Sequence, residues 1–183
     1  MDTAKRTIYN PIQKDSVLFI ETFTESNGKH TLVEVDMAAG GGNGLHYHKT
    51  LFERFECLEG ELKVQTGKTI HTLKQGDVVT AEPFVIHRFF NDSDKPCKFR
   101  VLISPGSRGF EETLQIAYGI ARDGIVNKKG MPAKLSHLAV LLDLSETNLP
   151  GWQSIIGKVL KWVSRRAEKR GVTAALRKKY VKI

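Results

Sequence analysis

The chain has 183 residues, 40% hydrophobic and 26% charged, with two cysteines and a formal net charge of +8. This is the make-up of an ordinary globular protein long enough to bury a core without disulfides. It excludes a disulfide framework, and no apolar run approaches the roughly 18 residues of a spanning helix. The charge is uneven: residues 151–183 hold ten Lys/Arg and one acid, Glu168, whereas the first 150 hold 18 basic and 19 acidic residues. The basic balance therefore belongs to the tail, and reading the whole chain as a nucleic-acid binder would be an error of averaging.

From Ser16 to about Ser104 short alternating runs are broken by turn residues. SVLFIETF comes first, then TLVEVDM, in which Thr31, Val33, Val35 and Met37 alternate with Leu32, Glu34 and Asp36, the period of a half-buried strand. Gly40-Gly41-Gly42-Asn43-Gly44 follows as a loop that no helix would tolerate. FERFECL, ELKVQTG, KTIHTL, DVVTAE, HRFFN and CKFRVLIS continue at a spacing typical of a β-sandwich or barrel. After Pro105-Gly106 the pattern turns helical. GFEETLQIAYGIARD places Phe110, Leu114, Ala117, Tyr118 and Ala121 on one face, with Gly124 as a stop. MPAKLSHLAVLLDL predicts a second helix ended near residues 148–151, Trp152 to about Lys169 a third, and the last dozen residues a short basic helix. The division expected is a barrel over 1–106 and a helical extension over 107–183 with a basic amphipathic tail over 151–183.

Within the strand region, His46 and His48 are two apart. On a strand such residues share a face, about 6.5–7 Å apart at the backbone, so both imidazoles can converge on one ion. Glu53 lies far enough on to bend back, and His87 on a later strand is a candidate third imidazole. Three nitrogens and a carboxylate suit Fe, Mn, Zn, Ni or Cu and lack the thiolates of structural zinc sites. Phe55 and Phe89 share strand parity with Glu53 and His87, as candidate pocket walls or as core aromatics. Cys57 has the same parity and reads as a buried, inert thiol. His30, His71 and His137 read as surface or satisfied histidines, and Arg100 as solvent-facing.

Gly40, five residues, His46-Tyr47-His48, four residues, Glu53, six residues and Gly60 together resemble the first cupin motif at each anchor position. Gly76, ten residues, His87, three residues and Asn91 resemble the second; Pro83 sits one place late and Phe84 stands where the motif has glycine. The resemblance covers about residues 30–104. It implies a mainly β fold, a cupin-like double-stranded β-helix (jelly-roll barrel) followed by C-terminal α-helices. It also implies His46, His48, Glu53 and His87 as metal ligands, and a small-molecule pocket at the barrel mouth. It implies no single reaction.

Two functions are expected from this. One is a metal-dependent oxygenase or isomerase of a small oxygen-bearing molecule, with Glu53 a general base if it is not a ligand. The other is a non-catalytic sensing barrel. For the tail, Trp152, Ile155, Ile156, Val159, Leu160, Val163 and Ala167 recur at helical spacing among Lys158, Lys161, Arg165, Arg166 and Lys169. That stripe either packs on the barrel or a partner subunit or, over 152–169, lies on an anionic membrane surface. Nucleic acid is disfavoured for want of a reading motif. A homodimer and a cytoplasmic location complete the expectations, the latter because the MDTAKRTIYN start has no secretory h-region.

Overall fold

A computed structural model describes residues 3–127, 130–151 and 157–183. Among the described residues nine strands form two antiparallel sheets. The larger has the order β1-β2-β3-β9-β4-β7, with β1 Thr7–Asn10, β2 Asp15–Glu21, β3 Thr31–Met37, β4 Phe52–Glu59, β7 Val78–Ala81 and β9 Cys97–Ser104. The smaller has the order β6-β5-β8, with β5 Leu62–Thr66, β6 Thr69–Leu73 and β8 His87–Phe90. Each strand expected from the alternating runs is present, except that the His46–His48 segment is not a regular strand; β1, before the first alternating run, is an addition.

One face of each central strand is dry. In β3 the buried residues are Thr31, Val33, Val35 and Met37, and in β9 they are Cys97, Phe99, Val101 and Ile103. These meet Phe19, Phe55, Leu62 and Val64 in one apolar core shared by both sheets. A side chain such as Phe55 or Phe99, fully shielded, contributes about 1.5–3 kcal/mol by burial.

Four helices are described after β9. The first, α1 (Arg108–Arg122), is capped by Ser107, whose Oγ accepts the Phe110 N–H at 3.2 Å. It ends at Asp123, before Gly124 at φ +68°. Phe110, Leu114, Ala117 and Tyr118 pack on the barrel core, as the periodicity predicts. Ile116 and Ile120, on a second face, enter a separate core with Val140, Leu141, Ala167, Leu176 and Tyr180. Buried on both sides, α1 is the layer between barrel and outer helices.

The second helix is shorter than its pattern suggests. α2 spans Leu135–Leu144. Residues before it are extended, because Pro132 bridges Val126 and the Asn127 N–H bonds the Met131 carbonyl at 2.8 Å. It stops at Ser145, and Glu146 takes a left-handed backbone at φ +53°. Next, α3 (Gly157–Lys169) buries Leu160, Ser164 and Ala167, and α4 (Val172–Tyr180) buries Thr173, Leu176 and Tyr180. The tail's apolar stripe, where described, thus packs mainly on the protein; Trp152, Ile155 and Ile156 lie outside the described residues. Val159 and Trp162 face outward, at 54% and 61% exposure.

Candidate metal centre

The His46–His48 segment is extended but is not the regular strand expected. It pairs only at single residues, Gly42 with Phe90, His46 with His87 and Tyr47 with Asn148. Gly42 allows the first contact, since a Cβ there would lie 2.7 Å from the Phe89 carbonyl oxygen. Asn43 Oδ1 then accepts the Phe89 N–H at 2.9 Å. The His46 and His87 backbones exchange both hydrogen bonds, at 3.0 and 2.7 Å, which sets the two imidazoles side by side. Their ring centroids are 4.4 Å apart. The Phe84 N–H donates to the His48 carbonyl at 2.7 Å, tying in the turn before β8. Phe84 is itself left-handed at φ +66°, at the position where the motif has glycine.

His46, His48, Glu53 and His87 come together so closely that one ligand atom from each lies within 4.8 Å of every other. His48, Glu53 and His87 are buried, and His46 is partly open at the rim. Nδ1 of His46 donates to the Gly44 carbonyl at 2.9 Å, and Nδ1 of His87 to the Val85 carbonyl at 2.9 Å. A donor at Nδ1 leaves the Nε2 lone pair free, as a metal ligand requires. His48 Nε2 is 3.2 Å from Glu53 Oε1, and His87 Nε2 is 3.5 Å from Oε2. These approaches have the reach of ion pairs but not the alignment of hydrogen bonds, so both Nε2 atoms are buried without a partner among the described residues. Orphaned buried nitrogens are costly, and an ion at the centre would satisfy them. On that observation the four residues fit a divalent metal.

The charges follow from the same packing. Burial holds the His46 imidazolium down to about 4, with Glu53 opposing and the other two imidazoles adding to the effect. Burial alone would raise the Glu53 carboxyl, but His48 and His87 outweigh it and hold it well below the usual carboxylate range. Burial likewise depresses His87, and Glu53 overcomes it, so the net shift is upward.

A cavity of about 290 Å³ opens onto His46, His48 and Glu53. Its floor is the barrel interior; its roof is α1 and residues 145–149. Phe89 lines it, whereas Phe55 is fully buried beneath, its ring 6.4 Å from that of His87. Gln13 and Tyr118 also line it, and the Tyr118 hydroxyl donates to Asp15 Oδ2 at 2.9 Å. Burial pushes the Asp15 carboxyl up to about 7. This polar group was missed in the sequence; the available signal was an aspartate at an inward position of β2. The roof segment is clipped to the ligand loop: Tyr47 and Asn148 exchange backbone hydrogen bonds at 3.0 and 2.9 Å, and Thr50 Oγ1 donates to Glu146 at 2.7 Å.

The remaining histidines lie apart from the centre. His30 contacts Glu21 at 2.8 Å and His71 contacts the Thr66 hydroxyl at 2.9 Å. His137 is not satisfied, for its buried Nδ1 has no partner among the described residues. Arg100 faces solvent and pairs with Glu34 at 3.2 Å. Cys57 and Cys97 are buried free thiols, both pushed up by burial, Cys97 to about 12.

Residues 33–104 match the family described as the Cupin domain. No curated protein matches the chain. Among solved structures, a predicted oxalate decarboxylase from Thermotoga maritima is similar at TM-score 0.52 and 18% identity, over 56% of this chain and 96% of that one. A protein with a double-stranded β-helix domain from Klebsiella pneumoniae is 24% identical at TM-score 0.40, over 43% and 70%. A sugar phosphate isomerase of the cupin superfamily from Silicibacter pomeroyi is 23% identical at TM-score 0.45, over 51% of this chain and 60% of its own length. The likeness to the Thermotoga maritima structure, at 18% identity, is one of fold alone.

Proposed function

We propose that this chain, a cupin through residues 33–104, binds one divalent metal ion and uses it to oxygenate or isomerise a small oxygen-bearing molecule. The observation that carries this is the pair of buried, unpartnered Nε2 atoms of His48 and His87 converging with His46 on Glu53. Fe, Mn, Zn, Ni or Cu suits that donor set. When bound, such an ion supplies Lewis acidity and, for iron or copper, redox chemistry. The protein's own part is to fix the His46 and His87 imidazoles through the Gly44 and Val85 carbonyls, to keep Glu53 ionised between His48 and His87, and to roof the site with α1. Glu53, with its two oxygens turned to two imidazoles, is a ligand in this reading rather than a free base.

The test is elemental analysis of the purified full chain beside its His46→Ala/His48→Ala variant. Near-stoichiometric metal in the first and its loss from the second are expected. Iron would direct the next assay to oxygen consumption, and manganese, nickel or zinc to isomerisation. A folded parent protein without metal after growth in metal-replete medium would defeat the reading.

The outward residues of α3 favour a second, separable activity. Val159 and Trp162 stand exposed among Lys158, Lys161, Arg165 and Arg166, and the Arg166 guanidinium lies 5.6 Å from the Trp162 ring. An aromatic residue among cations suits the interface of an anionic membrane. Deleting the tail would strip Leu176 and Tyr180 from the helical core, so the test uses the full chain. The Lys158→Glu/Lys161→Glu/Trp162→Ala variant should lose sedimentation with phosphatidylserine vesicles that the parent shows. Equal sedimentation of the two, or none by either, would exclude membrane docking through α3. The expected homodimer is checked in the same preparation by light scattering.

A further inference from the structure

The cavity that opens onto His46, His48 and Glu53 has walls of one kind. Val17, Val33, Val35, Val101, Phe110 and Leu114 are among its apolar lining residues, and no Lys or Arg is among its described lining residues. At about 290 Å³ it lies at the small end of ligand sites, with room for roughly ten waters' share of volume.

Its polar side chains can be accounted for one by one. Asn43 Oδ1 is taken by the Phe89 N–H. The Thr113 and Ser145 hydroxyls both donate to the Leu141 carbonyl, at 3.2 and 2.8 Å, and Thr147 is bonded to Ser145 at 2.7 Å. Beside the Asn43 amide N–H groups, which make no described hydrogen bond, two polar places remain. One is the His46, His48 and Glu53 end. The other is Gln13 with Tyr118: the tyrosine hydroxyl donates to Asp15, and Gln13 Oε1 is 3.3 Å from that hydroxyl. This leaves the Gln13 amide N–H groups and the acceptor lone pairs of the Tyr118 oxygen without a protein partner in the described hydrogen bonds. Asp15 behind them is buried, with Oδ1 also unpartnered.

The chemistry of the occupant follows. A phosphate ester would bring a dianion into an apolar cavity with no cationic side chain, at a cost of several kcal/mol. A polyol would bury hydroxyls faster than these few polar groups could satisfy them. We infer that the cavity takes a predominantly apolar molecule of about ten to fifteen non-hydrogen atoms, with an oxygen-bearing end toward His46, His48 and Glu53 and one hydrogen-bonding group received by Gln13 and Tyr118. The orientation of the oxygen end rests on the metal reading above; the apolar body and the Gln13–Tyr118 pole do not.

The experiment is calorimetric titration of the full chain with phenylpyruvate, its para-hydroxy analogue, a hexose monophosphate and the neutral ketone benzylacetone. In metal-loaded protein, phenylpyruvate is expected to bind at least about tenfold tighter than the hexose monophosphate, and the para-hydroxy analogue tighter still, because a site built to bond a hydroxyl discriminates strongly against its absence. Gln13→Ala and, separately, Tyr118→Phe should each abolish the para-hydroxy preference; the first variant guards against misfolding of the second. Benzylacetone should still bind the His46→Ala/His48→Ala protein. A hexose monophosphate that binds as tightly as phenylpyruvate, or no binding by any apolar probe, would overturn the inference even where elemental analysis finds the metal. Retained benzylacetone binding in a protein that never holds metal would defeat the metal reading alone.

Discussion

Phe84 carries a strain that the motif's usual residue would not. At φ +66° a side chain with a Cβ costs about 1–2 kcal/mol more than glycine, and Phe84 recovers little of this by packing, being 66% exposed. Phe84→Gly should therefore raise stability by about 1 kcal/mol, a rise of roughly 2–4 °C in Tm by calorimetry, with metal content unchanged. Asp15 makes the opposite trade, for burial raises its carboxyl to about 7 from an ordinary value of 3.8. The folded state then holds a proton that the unfolded state has released between about pH 4 and 7. Stability from this group is full below pH 4 and is lost as pH rises through 7. Asp15→Asn, which still accepts the Tyr118 hydroxyl, should gain on the parent protein across that window, by up to about 4 kcal/mol at pH 8. Urea unfolding of metal-free protein at pH 4.5 and 8 checks this; a gap that does not widen with pH would refute it.

At the scale of elements, what was legible in the sequence depended on how many faces an element buries. β3 and β9 each bury one face, so their alternation marks them without ambiguity. The convergence of His46, His48 and Glu53 was legible in one short stretch, whereas His87, 34 residues beyond Glu53, was reached through its resemblance to a second motif and is brought in by backbone pairing with His46. α1 buries two faces, and a single apolar stripe captured Phe110, Leu114, Ala117 and Tyr118 but not Ile116 and Ile120. The start of α2 was misread because Met131-Pro132-Ala133 fits a helical pattern, while pairing with residues 125–127 holds it extended. Asp15 escaped notice since its partner, Tyr118, is 103 residues away. The two-sided burial of α1 also makes Gly119 necessary: a Cβ there would collide with the Tyr180 ring, which is only 8% exposed. Although alanine is the better helix former by about 1 kcal/mol, Gly119→Ala should destabilise the protein by about 1–3 kcal/mol net, read by urea unfolding.

Across the whole molecule, the Tyr47–Asn148 clip joins residues 101 positions apart in the chain, and it lies between the first two histidines of the centre. Contacts that distant close late, since the loop between them must be ordered first. During synthesis His46, His48 and Glu53 leave the ribosome well before the segment that fastens their loop. The four-residue cluster is therefore complete only once α1 and α2 have docked, and under the proposed function metal uptake would report on completed folding. Chains arrested before residue 148 should carry the whole ligand set yet retain metal poorly.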